Sequence, residues 1–226
     1  MIQAVIFDVD GTLVDSNDLH VETWDIAFRF FGKEIPRSAL RRQIGKGGDQ
    51  YLPVFLNREE MREFGEELDS YRSKLFQEEY LPRVKGFPKV RELFQRIKAD
   101  GKQIILASSG KDKELETYKK ELQIEDLVDD MTTSDDAEKS KPHPDIFDAA
   151  LRLLDGVPAN ATLVVGDTPY DVDAAAKAGL RTIGVLCGGF SAADLREAGA
   201  VIIYRDPADV LEHYGNSPIA RDTREG

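Results

Sequence analysis

Asp8 and Asp10 are two carboxylates one residue apart, directly after the apolar run Ala4-Val5-Ile6-Phe7. A short run rich in β-branched and aromatic residues is the pattern of a buried strand. In an open parallel sheet, ligands bind just beyond the carboxyl ends of the strands. Carboxylates this close raise each other's pKa unless a cation or fixed donors intervene, and a bound metal is the simplest resolution. The segment is not an EF-hand loop, because Gly11 follows at once and a strand rather than a helix precedes it. Three more polar groups stand at expected strand or helix ends. Ser108-Ser109-Gly110 follows a strand pattern at 103–107; hydroxyls and free amides there can form an anion pocket, or the serines can simply cap a helix. Lys139-Ser140-Lys141-Pro142 precedes a helix pattern, and a lysine beside carboxylates relieves their repulsion and can hold a transferring phosphoryl group. Asp167 closes a strand pattern at 161–165 and Asp171 lies one turn into the next helix. An Asx turn and the helix dipole are the plainer readings of those two acids.

The elements that must position these groups alternate. After Ser16 the spacing becomes helical over 17–32, a short helix is expected over 38–44, Gly45-Lys46-Gly47-Gly48 reads as a flexible loop, and a long helical pattern covers about 58–80. No strand pattern occurs in 17–84. From Val84 onward helices are expected at 87–99, 112–122, 145–154, 170–178, 193–198 and 208–214. Strands are expected at 103–107, 127–132, 161–165, 182–185 and 201–204. That alternation predicts an α/β fold with a doubly wound parallel sheet, interrupted after its first strand by an all-helical block. Residues 215–226 are polar and read as a frayed tail.

Four segments in this order resemble the motifs of the haloacid dehalogenase superfamily, the aspartate-nucleophile phosphohydrolases. They are Asp8-Val9-Asp10-Gly11-Thr12, Ser108 at its strand end, Lys141-Pro142-His143-Pro144-Asp145-Ile146-Phe147, and Gly166-Asp167 with Asp171. The resemblance covers nearly the whole chain and is strongest to the phosphoglycolate phosphatase and β-phosphoglucomutase branch. It implies a Rossmann-like core formed by 1–15 and 85–226, with 16–84 as an inserted α-helical cap. It implies that Asp8 is the nucleophile forming an aspartyl-phosphate, and that Asp10 is the general acid and then base, with a pKa that lets it exchange protons near neutrality. Lys141, Ser108 and Thr12 would hold the phosphoryl group, with Ser109 beside them. Mg²⁺ would be held by Asp8, the main-chain carbonyl of Asp10 and Asp167, while Asp171 orients Lys141 and a metal-bound water. His20, near the entry to the cap, and Arg42, Lys46 and Gly47 in the cap are candidate substrate contacts. Each of these four also has a plain surface or packing reading.

The resemblance therefore implies a Mg²⁺-dependent phosphatase of small phosphorylated metabolites. A sugar-phosphate mutase would use the same aspartates, but that pattern usually has Glu-Asp where this chain has Gly166-Asp167. A dehalogenase would lack Asp10. A receiver-like phospho-acceptor would be far shorter and have no helical insertion, and no G-x-G-x-x-G follows the first strand to suggest a dinucleotide site. The net charge of −12 opposes binding to nucleic acid or anionic membrane. The helical block holds 13 acidic and 11 basic residues, so the acidity belongs to the rest of the chain. A basic cluster at Arg37, Arg41, Arg42 and Lys46 suits a lid over an acidic site, or a solvated helix face. No stretch spans a bilayer, no signal segment opens the chain, and Cys187 is the single cysteine. These features suit a cytoplasmic protein. Oligomeric state leaves no mark on the sequence.

Overall fold

A computed structural model describes residues 1–154 and 156–221. Six parallel strands form the main sheet: β1 (Ala4–Phe7), β4 (Gln103–Ala107), β5 (Asp130–Thr132), β6 (Thr162–Gly166), β7 (Arg181–Val185) and β8 (Ile202–Tyr204), in the order β5-β4-β1-β6-β7-β8. β1 lies in the middle, pairing with β4 on one side and β6 on the other, in a register that sets Phe7 beside Leu106 and Val165. The sheet is buried on both faces because successive side chains feed two cores. Val5 and Phe7 join a cluster with Ile104, Leu106, Leu163 and Val165, whereas Ala4 and Ile6 join one with Ile105, Ala107 and Val164. The helix Val90–Ala99 covers the first face through Val90, Leu93, Phe94 and Ile97, a spacing that makes one stripe. The helix Asp145–Leu153 covers the second through Ile146, Phe147 and Ala150. This is the doubly wound α/β sheet the alternation predicts.

Two features depart from the sequence expectation. Val14–Asp15 (β2) and Lys85–Gly86 (β3) pair antiparallel, forming a two-stranded ribbon where the chain leaves and re-enters the α/β part. Two-residue strands carry no periodicity, so only their pairing reveals them. The segment 215–221 is also not a frayed tail: Ser217 and Ile219 are fully buried, and Ile219 belongs to the first core cluster. One apolar residue in a polar stretch is a weak signal in sequence. The last residues of that expected tail, 222–226, lie outside the described residues.

Between the ribbon strands, the described elements are all helical. Asn17–Phe30 opens the segment, and 58–80 runs as one helix containing two π turns, Met61–Gly65 and Phe76–Tyr80. The segment has its own core of Val21, Trp24, Phe28, Leu40, Tyr51 and Leu68, among others, with Trp24 stacked on Tyr51 at 4.3 Å between ring centroids. Residues 45–48 do not form a free loop. The Gly47 amide donates to Ser140 Oγ at 2.9 Å, and Gly48 already begins a short helix. A Cβ on Gly47 would lie 2.7 Å from that of Ser140, so glycine there permits a close approach to the α/β part.

Candidate active site

β1 ends at Phe7, and the Asp8 amide still bonds Val165 O at 2.9 Å. Asp8 is thereby fixed at the crevice between the central strands. Gly11 then turns the chain with φ +79°, and a Cβ there would meet Asn17 Nδ2 at 2.2 Å and Asp167 Oδ2 at 2.5 Å. Only glycine satisfies both the positive φ and the contact. The turn brings the Thr12 hydroxyl to 2.8 Å from Asp8 Oδ2 and 2.9 Å from Asp167 Oδ1. Thr12 is completely buried, so its hydroxyl stands beneath the carboxylates and orients them. Asn17 donates to Asp167 Oδ2 and to Gly188 O, both at 2.9 Å.

Lys141 is buried, and its ammonium lies 2.5 Å from Asp8 Oδ1 and 2.7 Å from Asp171 Oδ1, also donating to Ala107 O at 3.3 Å. The Lys141–Pro142 peptide is cis. Asp171 plays both parts that the sequence left open. Its Oδ2 accepts from the Thr168 amide at 3.0 Å and hydroxyl at 2.7 Å as the acid of a capping box, while Oδ1 faces Lys141. Asp8, Asp167 and Asp171 thus bring carboxylate oxygens within 4.8 Å of one another, all buried. Three carboxylates face one ammonium, and the electrostatics register the excess. Burial pushes Asp8 up to about 7, with Asp171 adding to the rise and Lys141 opposing it. Burial and the neighbouring Asp8 raise Asp167 well above the usual range. Burial alone would lower Lys141, but Asp171 and Asp8 raise it above its ordinary value. A cluster of hard oxygens short of positive charge fits a divalent cation such as Mg²⁺.

The Asp10 side chain is not part of that cluster. It turns the other way, to Ser16 Oγ (2.6 Å), His20 Nε2 (2.9 Å) and Tyr118 OH (3.1 Å), with Ser108 Oγ at 3.4 Å. Burial works to raise Asp10, but His20, Ser16 and Tyr118 hold it well below the usual carboxylate range. The expected exchange near neutrality is therefore not met in this arrangement, where Asp10 is ionised. His20 is no surface residue. It stacks on Phe76 at 4.1 Å, and Arg72 donates to its Nδ1. Arg72 can only donate, so Nδ1 accepts and Nε2–H is left to face Asp10.

A cavity of about 300 Å³ opens over Asp10 and His20, between the α/β part and the helical segment. Ser109, Lys46 and Gly47 line it, and among the described residues the Ser109 hydroxyl has no hydrogen-bond partner. Ser108 accepts from the Gly110 amide at 2.9 Å. Lys46 Nζ donates to Gln43 Oε1 at 2.6 Å and stands 4.6 Å from the Tyr170 ring. Arg42 is not brought to this cavity; it lines a separate surface cleft with Tyr170 and Phe190, and its carbonyl accepts from Tyr170 OH at 2.5 Å. Lys139 is exposed and His143 is half-buried. Sequence reasoning missed Ser16, Asn17, Arg72 and Tyr118. Ser16 could have been noticed, since it occupies a capping position yet spends its hydroxyl on Asp10. The others come from helices 17–30, 66–75 and 112–121 and carry no local signal.

A fold of this topology with an acid at the end of the central strand defines a class. The profile of haloacid dehalogenase-like hydrolases matches residues 5–185, and the chain belongs to that family. It is an enzyme, a phosphatase of the haloacid dehalogenase type. A phosphorylated carbohydrates phosphatase of Thermotoga maritima is 29% identical over 214 residues, covering 93% of this chain and 97% of that one. Pyrophosphatase PpaX of Bacillus mycoides is 28% identical over 186 residues, covering 81% of this chain and 83% of its own. The crystal structure of a hydrolase from Pseudomonas syringae superposes with a TM-score of 0.86 at 28% identity, over 95% of this chain and 98% of that one. Among the described residues, no helix is long and apolar enough to cross a membrane.

Proposed function

We propose that the chain hydrolyses small phosphate monoesters by passing the phosphoryl group through Asp8, with the helical segment 16–84 acting as a cap over the core formed by 1–15 and 85–226. The observation that carries this reading is the setting of Asp8. Its carboxylate is pinned between Lys141 at 2.5 Å and Thr12 at 2.8 Å, two residues before a second acid that faces the cavity. A carboxylate fixed at a strand end is a nucleophile aimed without loss of side-chain freedom.

In the first step an Asp8 oxygen attacks phosphorus, the O–P bond forms, and the bond to the leaving oxygen breaks. Asp10 gives the leaving oxygen its proton. The free site keeps Asp10 ionised, so protonation has to accompany ester binding, when the incoming phosphate dianion raises the neighbouring acid. In the second step Asp10 takes a proton from water, which attacks the phosphorus of the acyl phosphate and frees Asp8. Lys141 neutralises phosphoryl charge, Ser108 and Ser109 offer hydroxyls from the end of β4, and Thr12 and Asn17 hold the carboxylates in place. Mg²⁺ would be held by Asp8, Asp167 and the Asp10 carbonyl, with Asp171 fixing Lys141 beside it, and would supply charge stabilisation of the phosphoryl oxygens. The relatives that are phosphatases and pyrophosphatases support this reaction class. The same residues would serve a sugar-phosphate mutase, and the His20–Asp10 contact suits that reading too.

Phosphate release from a panel of small esters, with Mg²⁺ and with EDTA, separates the two. The phosphatase reading expects release that needs Mg²⁺ and disappears in Asp8→Asn. Isomerisation of a glucose 1-phosphate without net phosphate release would replace it by the mutase.

A further inference from the structure

The proposed reaction leaves open what the cavity accepts as leaving group, and its wall is unevenly charged. Besides Asp10 it presents Asp49, Asp69, Glu114 and Glu138 against Lys46, Lys111 and Arg72. Lys111 pairs with Asp135 at 3.0 Å, Lys46 donates to Gln43, and Arg72 donates to His20 with its guanidinium 4.9 Å from the Trp24 ring centroid, its Nε having no hydrogen-bond partner among the described residues. Asp49 accepts from Ser140, and Glu114 accepts from Gln77 at 3.4 Å. Asp69 differs. Among the described residues its carboxylate has no hydrogen-bond or ion-pair partner, although it is half-buried on the helix Glu66–Leu75. Gly48 leaves the room it occupies, because a Cβ there would stand 2.5 Å from Asp69 Oδ1. Burial pushes its carboxyl up, against the pull of Arg72 and Lys111. A half-buried carboxylate on the cavity wall with no donor of its own is an acceptor that a substrate hydroxyl can use.

We propose that Asp69 selects the leaving group, accepting a hydrogen bond from a hydroxyl of an uncharged polyol or sugar and repelling an anionic group. The substrates are then phosphate monoesters of neutral polyhydroxylated compounds rather than pyrophosphate or phosphorylated carboxylic acids. This rests on the reading that phosphoryl transfer occurs at Asp8. A second anionic group on the substrate would meet a wall of five carboxylates, Asp10 included, against three cations. A hydroxyl meets an acceptor with none of its own donors to displace.

The test compares kcat/KM of the wild type, Asp69→Asn and Asp69→Glu on glycerol 1-phosphate and glucose 6-phosphate against phosphoglycolate and pyrophosphate. The wild type is expected to favour the polyol esters. Asp69→Asn is expected to narrow that preference at least fivefold, with KM for the anionic pair falling and KM for the polyol pair rising. Asp69→Glu keeps the charge and is expected to keep the discrimination against anions while weakening the polyol KM. A wild-type preference for the anionic pair, or a narrowing below fivefold in Asp69→Asn, overturns the proposal. Hydrolysis of p-nitrophenyl phosphate by the wild type, and its loss in Asp8→Asn, is scored separately. If that control fails, the phosphoryl-transfer reading falls and takes the Asp69 proposal with it; if it holds, a failure belongs to Asp69 alone.

Discussion

Lys141 and Asp8 show how one pair can serve both stability and chemistry. The ammonium holds two buried carboxylates, so removing it leaves charges that nothing else neutralises. Breaking a buried pair in this way costs about 3–5 kcal/mol. Lys141→Met is therefore expected to lower unfolding free energy by that order in denaturant titrations without Mg²⁺, and to lose turnover. The acidic cluster also predicts a pH dependence. Asp8, at about 7, keeps in the metal-free native state a proton that the unfolded chain loses near its ordinary value of 3.8. Folding then binds a proton between about pH 4 and 7, so this group's stabilisation is present at low pH and fades as pH rises through about 7. A divalent cation takes over from the proton, so the rise in thermal midpoint on adding Mg²⁺ is expected to be larger at pH 8 than at pH 5. An equal rise at both pH values would contradict the assignment. At this scale the sequence was informative where an acid or lysine ends a strand or begins a helix. It was silent on Tyr118 and Arg72, whose partners Asp10 and His20 are 108 and 52 residues away.

At the scale of elements, what tied the helical segment to the sheet was least visible. The loop at 45–48 reads as flexible from its glycines, yet Gly47 lets it press on the segment that carries Lys141. Ser140 Oγ receives the Gly47 amide and lies 2.5 Å from Asp49 Oδ1. Ser140→Ala removes both bonds, each worth about 0.5–1.5 kcal/mol net. It is expected to lower kcat/KM about tenfold, chiefly by raising KM, in steady-state assays. An unchanged KM would show that this contact does not hold the proposed cap over the site. The expected strands lay close to the observed ones because their side chains serve two cores, and two-sided burial gives a compact apolar run. The β2–β3 ribbon and the π turns escaped because neither has a periodicity of its own. The Phe76–Tyr80 π turn nevertheless sets Phe76 under His20.

For the whole molecule, the α/β part and the helical segment are packed around separate cores. The α/β part supplies the acids after β1 and β6 and the lysine ahead of the helix Asp145–Leu153; the helical segment contributes Arg72, Asp69 and Asp49 to the cavity that Asp10 also lines. The described end of the chain belongs to the core. Ile219 is 1% exposed in the core cluster that also holds Ile183, Val185 and Val210, so Ile219→Ala is expected to cost about 2–4 kcal/mol of stability in denaturant unfolding. A cost within error of zero would mean that the segment is not docked in solution. The central claim concerns Asp8, and its most direct test is chemical trapping. The enzyme is mixed with a hydrolysed ester and Mg²⁺, quenched, and treated with borohydride, which reduces an aspartyl-phosphate to homoserine. Peptide mass spectrometry is expected to find homoserine at position 8 and nowhere else. Homoserine at another aspartate, or none during measured turnover, would contradict phosphoryl transfer through Asp8.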